Sequence, residues 1–238
     1  MPALQTNRTA LVGLQRIEIL EGLELPLIEA LAKRLNWHQV RTGERVISRE
    51  DPDRDVYLVA GGRVQVAAFS PGGKQITYRE IGAGELFGEL AAIDGRGRSA
   101  DVTALQDSLL ATMSPQTFME LVFANRIVCE KVLRRLTGSV REMTDRVFQL
   151  STLGVRNRVH AELLRLARSG TITGNEARID PAPKHGEIAN RVSTYREQVT
   201  REFSRLYSPG LLARDGRCLV VCDLAALERM VTEVGGLP

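Results

Sequence analysis

Gly88-Glu89-Leu90-Ala91-Ala92-Ile93-Asp94-Gly95-Arg96-Gly97-Arg98-Ser99-Ala100 sets a short apolar helical run between a carboxylate and an Arg-Ser pair, with strand-like sequence on either side. Three polar groups at this spacing can close on one small anion that also carries a sugar. Glu89 can accept a hydrogen bond from a ribose hydroxyl, and Arg98 can neutralise a phosphate charge with a planar donor fork. Ser99 and neighbouring backbone N–H groups can complete the anion site. Gly88 and Leu90 flank the carboxylate and are counted with the site. A cyclic phosphodiester on a ribose satisfies the set. The alternative is a charged, glycine-rich surface loop, which a lone Gly-Glu-Leu would favour. Arg98-Ser99-Ala100 at this distance turns the reading toward a ligand.

Around this segment, residues 43–110 read as short strands separated by turn signals. An apolar run at 56–60 precedes Gly61-Gly62, Val64 and Val66 alternate, Ser70-Pro71-Gly72-Gly73 breaks the chain, and Ile76 and Tyr78 resume the alternation. Residues 102–113 read as closing strands, so an antiparallel roll or barrel is expected. Upstream, Ile17, Leu20, Leu23, Leu27, Leu31 and Leu35 recur three or four apart, which predicts short amphipathic helices across 16–37 with Pro26 near a helix start.

After Ser114-Pro115 the period becomes helical to about Gly154. Cys129, Leu133, Leu136, Val140, Met143, Val147, Leu150 and Gly154 alternate steps of four and three, the heptad seam of a coiled coil. A two-per-seven stripe is narrower than the face a helix turns to its own core, so a dimer helix is expected. A further domain starts near Val155. Two helical patterns, 187–192 and 195–206, are separated only by Ser193-Thr194, the spacing of a helix-turn-helix. Arg214-Asp215-Gly216-Arg217 between apolar runs signals a hairpin wing. With Tyr195 opening the second helix, Tyr195, Arg196, Glu197, Gln198 and Arg201 lie where a recognition helix meets base edges. Arg suits guanine O6 and N7, and Glu the cytosine amino group. Ile188 and Val199 are expected to pack the two helices together, and His185 to lie near a DNA phosphate.

The segment 84–102 resembles the phosphate-binding cassette of the cyclic AMP receptor protein and FNR family of bacterial transcription regulators, and the likeness extends from about Gly43 to about Asp223. The resemblance implies that Glu89 holds a ribose hydroxyl and that Arg98 and Ser99 hold a cyclic phosphate. It also matches Arg196-Glu197-Gln198-Val199-Thr200-Arg201 to the family's Arg-Glu-x-x-x-Arg. Family members that bind cyclic AMP place a Thr-Ser pair on the dimer helix against the adenine; Met143-Thr144 falls there, so only the Thr144 hydroxyl is kept. Their helix Arg falls at Ser139, with Arg135 one turn earlier and able to reach over. The effector expected is cyclic AMP, with cyclic GMP next.

The fold class expected is α+β: a cyclic-nucleotide-binding β-roll over 1–125, a dimerisation helix over 126–154 and a winged helix-turn-helix over 155–238. The function implied is that of a homodimeric, sequence-specific DNA-binding regulator, with double-stranded DNA and a cyclic nucleotide as partners and RNA polymerase as a further candidate. The alternative is a regulator of the same architecture that senses haem, redox state or another small effector. An enzyme is not expected, because His38, His160 and His185 are scattered and no Gly-x-Ser-x-Gly is present.

Composition agrees. The 238 residues are 43% hydrophobic and 26% charged, those of an ordinary globular chain, and the net charge of +3 neither demands nor opposes a polyanion partner. Apolar runs fall far short of the ~20 residues that a membrane span needs, and residues 1–9 lack an export signal, so a cytoplasmic protein is expected. Cys129, Cys218 and Cys222 form no Cys-x-x-Cys, which argues for reduced thiols and against a thiolate metal site.

Overall fold

A computed structural model describes residues 12–235; the export-signal reading of residues 1–9 therefore lies outside the described residues. The chain divides into two compact units, Met1–Ser70 with Thr77–Ser139, and Pro71–Ile76 with Val140–Pro238.

The first unit is built on eight strands: β1 (Asn36–Val40), β2 (Arg45–Ile47), β3 (Val56–Gly61), β4 (Arg63–Phe69), β5 (Gln75–Gly82, which enters from the second unit), β6 (Leu86–Phe87), β7 (Asp101–Ala104) and β8 (Ser108–Met113). They form two sheets, ordered β1-β8-β3-β6 and β2-β7-β4-β5. Strand periodicity sorts β3 between two cores. Val56 and Leu58 face the helices, whereas Val59 packs with Val64, Ile81, Phe87, Val102 and Leu110. Burial on both faces is why β3 reads as an uninterrupted apolar run. The bend after it requires glycine: Gly62 has φ +91°, and a Cβ there would lie 2.6 Å from Ser108 Cα.

Helical segments cover the first sheet. A helical turn at 12–15, a 3-10 turn at Glu18–Leu20 and α1 (Leu25–Ala32) contribute Leu14, Ile17, Leu20, Ile28 and Leu31 to one core. Pro26 stands in the first turn of α1, as expected, but the helical stretch expected across 16–37 ends early. Asn36 and Trp37 instead open β1, whose pairing with β8 overrides the helical period. α2 (Glu89–Asp94) lies in the cassette, and α3 (Pro115–Ala124) starts where Ser114 accepts from the Thr117 N–H at 3.2 Å. After a break at Asn125, α4 (Arg126–Thr152) packs Val128 and Val132 into the same core as Phe118.

Leu133, Val140 and Val147, spaced by seven along α4, are 59%, 65% and 63% exposed, so this stripe is left out of the chain's own cores. Three positions of the seam depart from the sequence reading, Leu136 among them because it packs against the first unit's core. Cys129 packs against the first unit's core, and Gly154 lies beyond the helix as the N-cap of α5 (Val155–Arg168).

The second unit continues with β9 (Thr171–Thr173), β10 (Glu176–Ile179), α6 (His185–Arg191), α7 (Arg196–Tyr207), β11 (Leu212–Asp215), β12 (Cys218–Val221) and α8 (Leu224–Gly235). One sheet, ordered β11-β12-β10-β9, carries the wing, whose turn places Gly216 at φ +58°. Ile188 and Val199 are fully buried between α6 and α7, as expected. Among the described residues, no helix is long and apolar enough to cross a membrane.

Candidate functional site

The cassette begins at Gly88, which caps α2 with φ +85°. A side chain there would meet the Asp55 carbonyl and an Arg98 nitrogen, both at 2.7 Å, so glycine is required by conformation and by space. Arg98 returns from the far end of the segment and is buried, 5% exposed. Its Nε and Nη2 donate to Asp53 Oδ1 at 3.0 and 2.7 Å; Nη2 also donates to the Asp55 carbonyl at 2.9 Å and Nη1 to the Gly88 carbonyl at 3.3 Å. The guanidinium lies 5.8 Å from the centre of the Tyr57 ring, which stacks on Phe87. Burial beside Asp53 pushes the Tyr57 hydroxyl up to about 12, and burial followed by the Asp53 charge raises Asp55. Ser99 and Leu90 are exposed, and the half-buried Glu89 carboxylate forms no hydrogen bond or ion pair among the described residues.

Asp53 is the residue that sequence reading missed. The acidic Asp51-Pro52-Asp53-Arg54-Asp55 loop hints at a basic partner, but spacing alone does not pick one 45 residues away. Arg135 also differs from expectation. From α4 it pairs with Glu85 Oε1 at 3.5 Å and donates to the Leu86 carbonyl, at the base of the cassette, rather than reaching Glu89. Glu85 is fixed in place by Arg79 and by the Gly82 N–H, at 2.6 and 2.8 Å. The exposed Thr144 hydroxyl donates to the Val140 carbonyl of its own helix at 2.9 Å.

In the second unit, Ser193 takes a positive φ of 56° between α6 and α7, and the Thr194 N–H returns to the Ala189 carbonyl at 2.9 Å. Tyr195 is the N-cap of α7 and lies just outside it, because its backbone stays extended. Tyr195, Arg196, Glu197, Gln198 and Arg201 are exposed together on the opening of the helix, whereas Val199 and Phe203 are buried. The side chains of Arg196, Glu197 and Arg201 make no ion pair or hydrogen bond among the described residues. His185 Nδ1 is 2.8 Å from Thr200 Oγ1, and its ring packs on Phe203. On the wing, Arg178 pairs with Asp215 and Glu176, and Arg217 pairs with Asp180; among the described residues Arg214 meets only the Gly216 carbonyl, at 3.4 Å.

Behind α7, His160 of α5 lies 2.7 Å from Glu202, and both are buried. Burial lowers the His160 pKa, with the Arg156 charge adding to the fall against the pull of Glu202. Burial alone would raise Glu202; the His160 hydrogen bond, Arg205 and Arg156 hold it below the usual carboxylate range. The neutral His160 ring therefore donates from Nε2, leaving a buried Nδ1 without a partner among the described residues. Below about pH 6.5 the unfolded chain takes up a proton here that the folded chain resists, so this stability is full above that pH and declines as pH falls. His185 is shifted in the same direction, by burial and then by Arg196 and Arg214. In a His185→Gln chain, amide exchange in α5 and α7, corrected for intrinsic rates, should therefore quicken from about pH 7 to about pH 5.5. Constant protection would mean that the folded His160 ring protonates freely.

These two sites coincide with two family matches, a cyclic nucleotide-binding domain over residues 37–125 and a Crp-like helix-turn-helix domain over residues 157–230. The chain is 26% identical over 217 residues to a CRP-like cAMP-activated global transcriptional regulator of Mycobacterium tuberculosis, covering 91% of this chain and 97% of that one. It is 30% identical over 188 residues to a cyclic AMP receptor protein of Thermus thermophilus, covering 79% of this chain and 84% of the other. Among solved structures, a CooA variant from Carboxydothermus hydrogenoformans superposes with a TM-score of 0.74 at 19% identity, covering 85% of this chain and 90% of that one, a likeness of fold. Cassette, helix-turn-helix and relatives agree, and the chain belongs to the cyclic AMP receptor protein and FNR family of DNA-binding transcription regulators.

Proposed function

We propose that the chain is a homodimeric transcription regulator of the cytoplasm whose affinity for specific DNA is set by a cyclic nucleotide, cyclic AMP before cyclic GMP. The observation that carries this reading is the cassette itself: a Glu89 carboxylate without a partner among the described residues and an exposed Ser99 hydroxyl stand beside an anchored Arg98 guanidinium. Glu89 and Ser99 would take the ribose and phosphate, and Arg98 would supply the positive charge. Gly88 and Leu90 shape the turn, and Arg135 of α4 braces its base through Glu85 and the Leu86 carbonyl. The name of the Mycobacterium tuberculosis relative supports cyclic AMP as the first ligand to test. Differential affinity of the ligand for two states does the switching, and no bond is made or broken, so no enzymatic step is involved. The test is calorimetric titration with cyclic AMP and with cyclic GMP. Saturable heat with either supports the reading, and none with both overturns it.

The exposed stripe of α4, within residues 126–154, supplies the dimer contact, and each protomer presents one α7 to double-stranded DNA. Arg196, Glu197 and Arg201 read bases, with Tyr195 beside them at the base edges and His185 near a phosphate; RNA polymerase is the partner on which such a regulator would act. A two-fold dimer calls for half-sites centred a whole number of turns apart, at about 10 to 10.5 base pairs per turn. Arg201→Ala should cost about 1–3 kcal/mol and flatten the selected sequence at particular base pairs. An unaltered sequence preference with evenly lowered affinity would demote Arg201 to a phosphate contact.

One observation favours a second reading. Asp53 already neutralises Arg98. In that reading Arg98 is a structural ion-pair partner and the regulator senses another small effector, such as haem or a redox signal. A visible absorption spectrum of the purified protein beside the nucleotide titration separates the two.

A further inference from the structure

The side of α7 that faces its own domain follows the helical spacing Val199, Glu202, Phe203 and Leu206, so Glu202 puts a carboxylate where the pattern calls for an aliphatic side chain. It is 3% exposed. Its two oxygens are divided between helices. Oε1 accepts from His160 Nε2 at 2.7 Å and from Arg156 Nε at 3.1 Å, both one turn apart on α5; Oε2 accepts from Arg205 of α7 at 3.2 Å. The arginine heads reach the surface while the histidine and carboxylate stay inside.

Such a cluster adds little to stability. Removing an acid and its partners from water costs several kcal/mol, and well-packed hydrophobic replacements are commonly neutral or stabilising. What the cluster offers instead is direction. Dispersion contacts tolerate a helix that turns by some degrees about its axis, whereas three donors converging on one carboxylate do not. Arg201 immediately precedes Glu202 in the chain; it and Glu197 project from the opposite side of the same helix, and Arg196 is exposed in its first turn. A small rotation of α7 would swing all three.

We propose that Glu202, held by His160, Arg156 and Arg205, is a positioning residue that fixes the rotation of α7 on α5 and so the aim of the base-reading side chains. It acts on sequence discrimination more than on folding. This rests on the reading that α7 carries the base contacts.

The test uses the full-length protein and the duplex that wild type selects from a random pool. The His160→Leu/Glu202→Leu chain is expected to melt no lower than wild type. Its ratio of affinity for the selected duplex over a scrambled one should fall about tenfold, the worth of one misaimed bidentate contact. A stabilising role alone would lower the melting temperature and leave that ratio unchanged, and this result overturns the proposal. Glu202→Gln, which keeps the volume, covers a double variant that fails to fold. The same ratio should fall by a smaller factor in Glu202→Gln, and an unchanged ratio in that chain also overturns the proposal. Arg201→Ala is measured alongside. If it leaves the selected sequence intact, the α7 reading itself fails; if it alters the sequence while Glu202 variants do not, only the positioning role fails. A wild-type protein that selects no sequence overturns both.

Discussion

Replacing Arg98 with Ala should weaken cyclic AMP binding by about 10- to 150-fold, the equivalent of a charge-assisted hydrogen bond worth about 1.5–3 kcal/mol. The guanidinium is the only group of the cassette that carries positive charge inside the fold, and neither Ser99 nor a backbone N–H can replace it. The same change should also loosen the domain. The Asp55 and Gly88 carbonyls both accept from Arg98, and an acceptor left without its donor costs about 1–3 kcal/mol. Asp53 is partly exposed and can be rehydrated, so its loss of a partner adds less. Calorimetric titration of the folded variant, with its melting curve beside it, reads both effects. Unchanged affinity in a folded Arg98→Ala protein would remove the cassette assignment.

Val147→Glu should convert a dimer to a monomer without unfolding either unit. Val147 is exposed in the isolated chain, so the glutamate costs the protomer little. In a two-fold seam the same position would meet its own copy, burying like charges without counter-ions at a cost of more than about 3 kcal/mol, over 100-fold in the dimer constant. Sedimentation velocity is the measurement, with circular dichroism as the check on folding. A stable dimer with Glu at this position would move the interface off the Leu133, Val140 and Val147 stripe.

The parts of the fold legible in the sequence were those with a strong local code. The turn at Gly61-Gly62, the Asp215-Gly216 hairpin, the Ser193-Thr194 break and the glycine-bounded cassette each carry residues whose backbone preferences narrow the choice. Elements without such a code were read as something else. β1 presents Asn36, His38 and Gln39 to solvent and buries only Val40, so it shows no apolar alternation and its strand character comes from pairing with β8. β9 is wholly exposed, so no buried side chain marks it in the sequence. The site divides the same way. Glu89, Arg98 and Ser99 announce themselves by spacing, whereas the pairs Arg98 with Asp53, Arg135 with Glu85 and His160 with Glu202 join residues 42 to 50 apart. Charge complementarity says that such residues need partners, and only the folded chain says which.

The acids on the wing bear on how salt would act on this regulator. Binding to DNA gains much of its free energy from cations that leave the phosphates when protein charges arrive, and affinity falls with salt in proportion to the number of charges delivered. Arg178 and Arg217 reach the hairpin already matched to Asp215 and Asp180, so neither delivers a full charge unless it first gives up its carboxylate. Arg214 has no such obligation among the described residues. The wing would therefore contribute shape and a single cation per protomer, and the steepness of the salt response would be set mainly by the unpaired arginines of the helix beside it.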